Sequence, residues 1–257
     1  MINRITIQAY QVGLVFEKGK LINILEAGSY WIFGNKQVHV FEMKQSFVAP
    51  IELTILLQNE KLASMLEVIE IADNEIALYY VNGMFKEVLT TGRYAFWKGY
   101  LDNAFTKIDL SKVEITEVVP MALLENIKVR AYTRKFQVLN FEKGLLFVNG
   151  AFVKELAAGN YYFWNNAIPI EVKNVDIRQQ QMEIAGQELL TKDKATLRIN
   201  FFVRYQVIDA VKALVNNKEY DKQLYVLMQL ALRALVGSYT LDELLNKKDT
   251  ISKEILE

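Results

Sequence analysis

At 257 residues the chain is long for a single hydrophobic core, so two to four compact units are expected. Lys+Arg 30 against Asp+Glu 30 leaves no formal net charge; no global field gathers nucleic acid, and no Lys/Arg block with interleaved aromatics supplies a local one. The absence of cysteine removes disulfides, thiolate catalysis and zinc-thiolate sites, while 52% hydrophobic residues and three prolines leave ample core and little linker.

The chain opens on Met1 to Tyr10, which is too polar for a signal-peptide core and alternates like a strand. No window reaches the roughly 18 uncharged apolar residues that a spanning helix requires. Even the most apolar stretch, Leu224 to Val236, is interrupted by Gln229 and Arg233. A soluble or peripheral protein is expected, cytoplasmic or on the cytoplasmic face of a membrane.

One short pattern is then written three times: Gln11 to Gly19 (QVGLVFEKG), Glu75 to Gly83 (EIALYYVNG) and Glu142 to Gly150 (EKGLLFVNG). A second glycine follows 9 residues later in every copy, at Gly28, Gly92 and Gly159, and opens an aromatic run. An internal repeat favours a scaffold over one catalytic pocket. Each copy reads as a strand such as Leu14 to Phe16, a tight turn at the first glycine, and a returning strand such as Leu21 to Leu25 or Phe152 to Leu156. Asn82-Gly83 and Asn149-Gly150 are the strongest hairpin signals, because both residues tolerate positive φ. The aromatics that follow suit a sealed core. The rival reading makes Trp31, Trp97 and Trp164 wedges against a lipid headgroup layer.

Between copies, Leu56 to Val68 is expected as a short helix with Leu56, Leu62, Met65 and Leu66 near one face, and Met121 to Val129 sits at the comparable place after Pro120. Unit boundaries therefore fall near Val68 and Val138, giving a β-rich unit at 1–68, a second at 69–138 and a third region at 139–257. Beyond the third copy, Ala195 to Val207 alternates Leu197, Ile199, Phe201, Val203, Tyr205 and Val207 against polar neighbours, as a long half-buried strand does. Asp209 can cap a helix through Leu214, and Asp221 can open a longer one that Gly237 ends as a C-cap. Thr240-Leu-Asp-Glu243 is a capping box for a further helix, and Asp249 to Glu257 still reads as helical, with Ile251, Ile255 and Leu256 apolar. The fold class expected is α+β.

Val175-Asp-Ile-Arg178, then Gly186-Gln-Glu-Leu-Leu-Thr-Lys-Asp193, a long strand, and Ala231 to Leu245 (ALRALVGSYTLDELL) occur in that order. This combination, from Asn140 to the C-terminus, resembles the SPFH or band-7 (prohibitin-homology) family, and within it the stomatins and slipins. The resemblance implies small β-rich units in tandem followed by an SPFH α/β domain with C-terminal helices. It also implies a self-associating scaffold at a membrane, with membrane proteins, a membrane protease among them, as partners. Stomatins usually begin with a membrane-inserted segment; here two extra hairpin copies take its place, as in bacterial slipin-like proteins. Family members continue into a long coiled coil, so the chain is expected to be a fragment or a shortened form.

No catalytic, cofactor-binding or metal-ligating residue is assigned, and no cofactor, nucleic acid or small-molecule substrate is expected. His39 is the single histidine and reads as a solvated strand residue beside Gln37 and Phe41. Glu42, Asp109 and Asp176 fall at related places after the aromatic run, where structural pairing is favoured over acid/base work. Asp176 and Arg178 read as neighbours on one strand face, either an exposed ion pair or, on the family resemblance, a subunit contact. Thr191-Lys-Asp193 reads as a turn with Asp193 bonding local amides, and Leu232-Arg233 and Thr240 to Leu245 as packing and capping. Three functions stand: a non-enzymatic membrane scaffold, a soluble protein-binding module acting through sheet edges, and a hydrolase using paired carboxylates.

Overall fold

The computed structural model describes residues 2–246, so the helix expected at Asp249 to Glu257 lies outside the described residues. Each copy of the repeat folds into five strands. The first comprises β1 (Ile2–Ile7), β2 (Gln11–Glu17), β3 (Lys20–Leu25), β4 (Gly28–Phe33) and β5 (Lys36–Glu42). After α1 (Leu53–Leu56) and α2 (Glu60–Met65), the second comprises β6 (Leu66–Ile71), β7 (Glu75–Val81), β8 (Met84–Leu89), β9 (Gly92–Trp97) and β10 (Asn103–Asp109). The third follows α3 (Met121–Leu124) and α4 (Ile127–Arg130) with β11 (Thr133–Val138), β12 (Glu142–Val148), β13 (Ala151–Leu156), β14 (Gly159–Trp164) and β15 (Ile170–Asp176). In every copy the second strand is the centre of a three-stranded sheet, β3-β2-β5, β10-β7-β8 or β13-β12-β15, and the first strand pairs with the fourth.

The hairpins form because both central turn residues accept a left-handed backbone. Lys18 and Gly19 have φ 51 and 80, Asn82 and Gly83 50 and 75, Asn149 and Gly150 52 and 76. Such turns match the twist of the flanking strands. A register shift at the same place in all three hairpins, between Val15 and Phe16, Tyr79 and Tyr80, and Leu146 and Phe147, shows that the unit repeats down to its bulge.

The chain ends its described part with β16 (Gln180–Leu190), β17 (Thr196–Tyr205), a π-helical turn at Lys212–Asn216, α5 (Tyr220–Ser238) and α6 (Leu241–Asn246). Two compact units result: Met1–Arg134 with Phe163–Asn166, and Lys135–Tyr162 with Ala167–Glu257. In the first unit, Ile7, Val15 and Leu25 seal β1 and β4 against one face of β3-β2-β5 with Ile5, Tyr30, Ile32 and Val38. The opposite face, Val12, Leu14 and Phe16, is covered by Phe47, Leu56, Leu62, Leu66, Ala95 and Trp97. Thus the connecting helices and β6-β9 roof the first copy. In the second unit Leu189, Leu232, Val236 and Leu244 form the core between β16-β17 and the helices.

Several expectations are corrected. The helix expected over Leu56 to Val68 is two short helices, and Leu66 begins a strand, because Leu66, Val68 and Ile69 find cross-strand partners in Trp97, Ala95 and Tyr94. Met121 to Val129 likewise breaks into two single turns, with Pro120 at the N-cap. Gly237 does not end α5. It lies inside the last turn, which closes at Tyr239, and a Cβ there would sit 4.0 Å from the Leu190 carbonyl, so its smallness serves close approach to β16.

Candidate functional site

The acids at related places in the sequence occupy one equivalent position. Glu42, Asp109 and Asp176 close β5, β10 and β15 and stand opposite Gln11, Glu75 and Glu142, the first residues of the central strands. Each reaches a residue two further on. Glu42 Oε2 lies 3.1 Å from Lys44 Nζ, Asp109 Oδ1 accepts from Ser111 N at 2.9 Å, and Asp176 Oδ1 accepts from Arg178 N at 2.9 Å. The Asp109 and Asp176 carboxyls are held below the ordinary carboxylate value, chiefly by the side-chain bonds to Ser111 and Arg178.

Arg178 is not on the strand with Asp176. It sits in the bend after β15, where its guanidinium grips the Asp176 carboxylate and lies 3.8 Å from the Phe141 ring centroid. The pair shapes a local turn, because backbone and side chain of Arg178 bond the same carboxylate. His39 lies on exposed β5 opposite Leu14, with the Phe16 ring edge-on at 5.4 Å.

The Thr191 to Asp193 turn does more than bond its own amides. Thr191, buried at 4%, donates from Oγ1 to Asp193 Oδ1 at 2.5 Å and accepts from Ala195 N at 2.9 Å. Asp193 Oδ1 also accepts from Leu241 N at 3.2 Å, and Lys192 N donates to the Tyr239 carbonyl at 2.8 Å. The β16-β17 turn therefore caps α6 from 48 residues away. The Thr191 bond pulls the Asp193 carboxyl down, favouring the charged form at a helix N-terminus. The capping box closes the same end: Thr240 N donates to Glu243 Oε2 at 2.9 Å and Glu243 N to Thr240 Oγ1 at 3.4 Å. Leu232 is core at 2%, beside exposed Arg233.

Three features were missed from sequence. Gly186, at φ 68, carries a bulge in β16, and its N–H donates to Asn200 Oδ1 at 2.6 Å. Trp97 and Trp164 are sealed at 1% and 0%, as the core reading expects; the departure is Trp31, 59% exposed with the Arg4 guanidinium 5.7 Å from its ring. The reason is position: Trp31 stands three residues after its glycine, the other two stand five. Finally, an open depression of about 450 Å³ in the second unit is lined by Lys143, Glu155, Val207 and Asp209 among others. Its acids do not converge, since Glu155 faces Lys143 at 3.9 Å and Asp209 faces Lys212 at 3.5 Å while capping the turn through Lys212 N.

Among the described residues no helix is long and apolar enough to cross a membrane. A model of the SPFH domain / Band 7 family matches residues 69–257, beginning at β6 and so taking in the second copy as well as the third. An uncharacterised protein of Methanocaldococcus jannaschii is 36% identical over 121 residues, 47% of this chain and 59% of that protein. A stomatin homolog of Pyrococcus horikoshii is 32% identical over 120 residues, 46% and 44% of the two chains. Stomatin-4 of Caenorhabditis elegans is 24% identical over 141 residues, 55% and 50%. The chain spans about half the length of the curated relatives it matches.

Proposed function

Because the chain belongs to the SPFH domain / Band 7 family, we propose that it is a non-enzymatic scaffold of the stomatin and slipin kind, which oligomerises and organises or regulates membrane proteins at a membrane surface. The observation that carries this reading is the match over 69–257 together with relatives that bear stomatin names. Its support from chemistry is that Glu42, Asp109, Asp176 and Asp193 each hold a neighbouring turn, a structural employment for carboxylates. In this reading attachment is peripheral and on the cytoplasmic face, a membrane protease is among the regulated partners, and the repeat divides the chain at 68 and 138 into two β-rich units and the SPFH domain.

Co-sedimentation with phospholipid vesicles tests it. The expected result is protein in the vesicle pellet in an oligomeric state. Protein that stays wholly in the supernatant would instead favour a soluble module binding partners through sheet edges, a reading to which the exposed rim of β4 gives weight.

A further inference from the structure

We propose that the outer face of β1 and β4 is a self-association surface, on which Trp31 and Phe33 of one chain pair with Phe33 and Trp31 of a second copy about a two-fold axis. The repeat supplies the argument, because β4, β9 and β14 are the same strand three times. At the place of Trp31 the second copy has Ala95, 2% exposed, and the third has the half-buried Tyr162; at the place of Phe33 they have Trp97 and Trp164, 1% and 0% exposed. At the same positions of the first copy, Trp31 and Phe33 are 59% and 58% exposed. These two rings stand beside Arg4 on the side of the β1-β4 pair that faces away from Ile5, Ile7, Tyr30 and Ile32.

What covers the equivalent strands is visible within the first compact unit. The segment that follows the last strand of the preceding copy runs along the free edge: Phe47 N donates to the Ala95 carbonyl at 2.8 Å, and Trp164 N donates to the Val113 carbonyl at 3.0 Å beside a bridge between Glu114 and Phe163. The groups corresponding to these in the first copy are the Trp31 carbonyl and the Phe33 N–H. An exposed edge with aromatic side chains is a template for another strand.

A second copy fits that template by symmetry. With the axis at Ile32, Trp31 lies opposite Phe33 of the second copy, and the two residues exchange both backbone hydrogen bonds; the symmetric pair does the same. The sheet becomes β1-β4-β4-β1, with both aromatic pairs on one side. A head-to-tail arrangement would need the outer face of the third copy's sheet, but Leu145 and Val175 there are already packed by Val207, Ala210 and Ala213. The contact is therefore isologous and closes as a dimer. It rests on the reading of the chain as a self-associating scaffold, and assigns the contact to residues ahead of the family match at 69.

The chain contains no cysteine, so Ile32→Cys is a clean probe. Residues opposite each other in a non-hydrogen-bonded pair have Cα atoms about 4.5 Å apart, within disulfide range. Trp31 is also the exposed tryptophan, so acrylamide quenching of it should fall as protein concentration rises. The expected results are a dimer by sedimentation velocity, a disulfide-linked dimer of I32C under mild oxidation, and a W31E/F33E double variant whose dimerisation is weakened at least about 100-fold with its circular dichroism unchanged. Self-association that W31E/F33E leaves unaltered would overturn the assignment while leaving the scaffold reading intact. A chain that stays monomeric with Trp31 fully quenchable overturns both, and shielding of Trp31 in a monomer by vesicles or another protein overturns the second-copy assignment.

Discussion

Asp193 joins two parts of the chain through one carboxylate, and its chemistry fixes how that junction responds to acid. Its folded-state carboxyl lies below the ordinary 3.8, first because Thr191 donates to it. A depressed value means the contribution is fully present above the unfolded value and is lost as pH falls through the folded one. Asp193→Asn should therefore lower the melting temperature at pH 7, and the gap to wild type should close below about pH 4. Melts across that range check it; a gap that widens in acid would contradict the geometry. The tryptophans offer a second comparison. Trp97 Nε1 is buried without an acceptor among the described residues, whereas Trp164 Nε1 donates to Glu117 Oε2 at 3.2 Å. An unmet buried donor costs about 1–3 kcal/mol, so Trp97→Phe should be nearly neutral in urea denaturation and Trp164→Phe distinctly costlier. Trp97→Ala, which empties the roof of the first copy, should cost about 3–5 kcal/mol. Asp193 shows where sequence reading stopped: a turn was legible in Thr191-Lys-Asp193, but its bond to Leu241 was not, because a cap supplied across 48 residues leaves no local spacing.

At the scale of elements, the hairpin contains its own controls. A Cβ at Gly83 or Gly150 meets nothing within 4 Å, so Ala there is opposed by backbone alone, at φ 75 and 76. Each substitution should cost about 1–2 kcal/mol. Gly144 differs, because its added Cβ would lie 2.6 Å from Val138 Cγ2 and 3.2 Å from Leu156 Cβ. Gly144→Ala should destabilise by about 1–3 kcal/mol through overpacking. Gly13→Ala should be milder: its nearest neighbour is the terminal Ile7 methyl at 3.0 Å, and the second copy carries Ala77 at that position, fully buried. Chemical denaturation of the set ranks the four glycines. These hairpins were readable because turn, bulge and return all lie within about twenty residues. The pairing of β6 with β9 was not, since Leu66 to Ile71 is as apolar as the helix before it and its strand partner arrives more than twenty residues later. Gly237 misled for a related reason: a glycine near a helix end suggests a cap, while its cause here is the nearby Leu190 carbonyl on another element.

For the whole molecule, the repeat means that the first copy is finished by the second. Leu66, Ala95 and Trp97 belong to the second copy but bury themselves against Val12, Leu14 and Phe16 of the first. A chain beginning at Leu66 would retain every residue matched by the family and still expose that face. Such a truncation should aggregate or show red-shifted Trp97 emission, and a soluble protein with unshifted emission would contradict this packing. The sequence by itself determined the three hairpins, the alternating strand at Thr196–Tyr205, the capping box at Thr240 and the family resemblance, since each rests on short-range periodicity, turn chemistry or motif order. Only the tertiary structure decided which copies of one pattern are sealed and which is open, that Asp193 serves α6, and that Arg178 leaves the strand to grip Asp176 and Phe141. Those outcomes depend on what lies against a residue, and a neighbour brought from another element by packing is not encoded in the residues beside it.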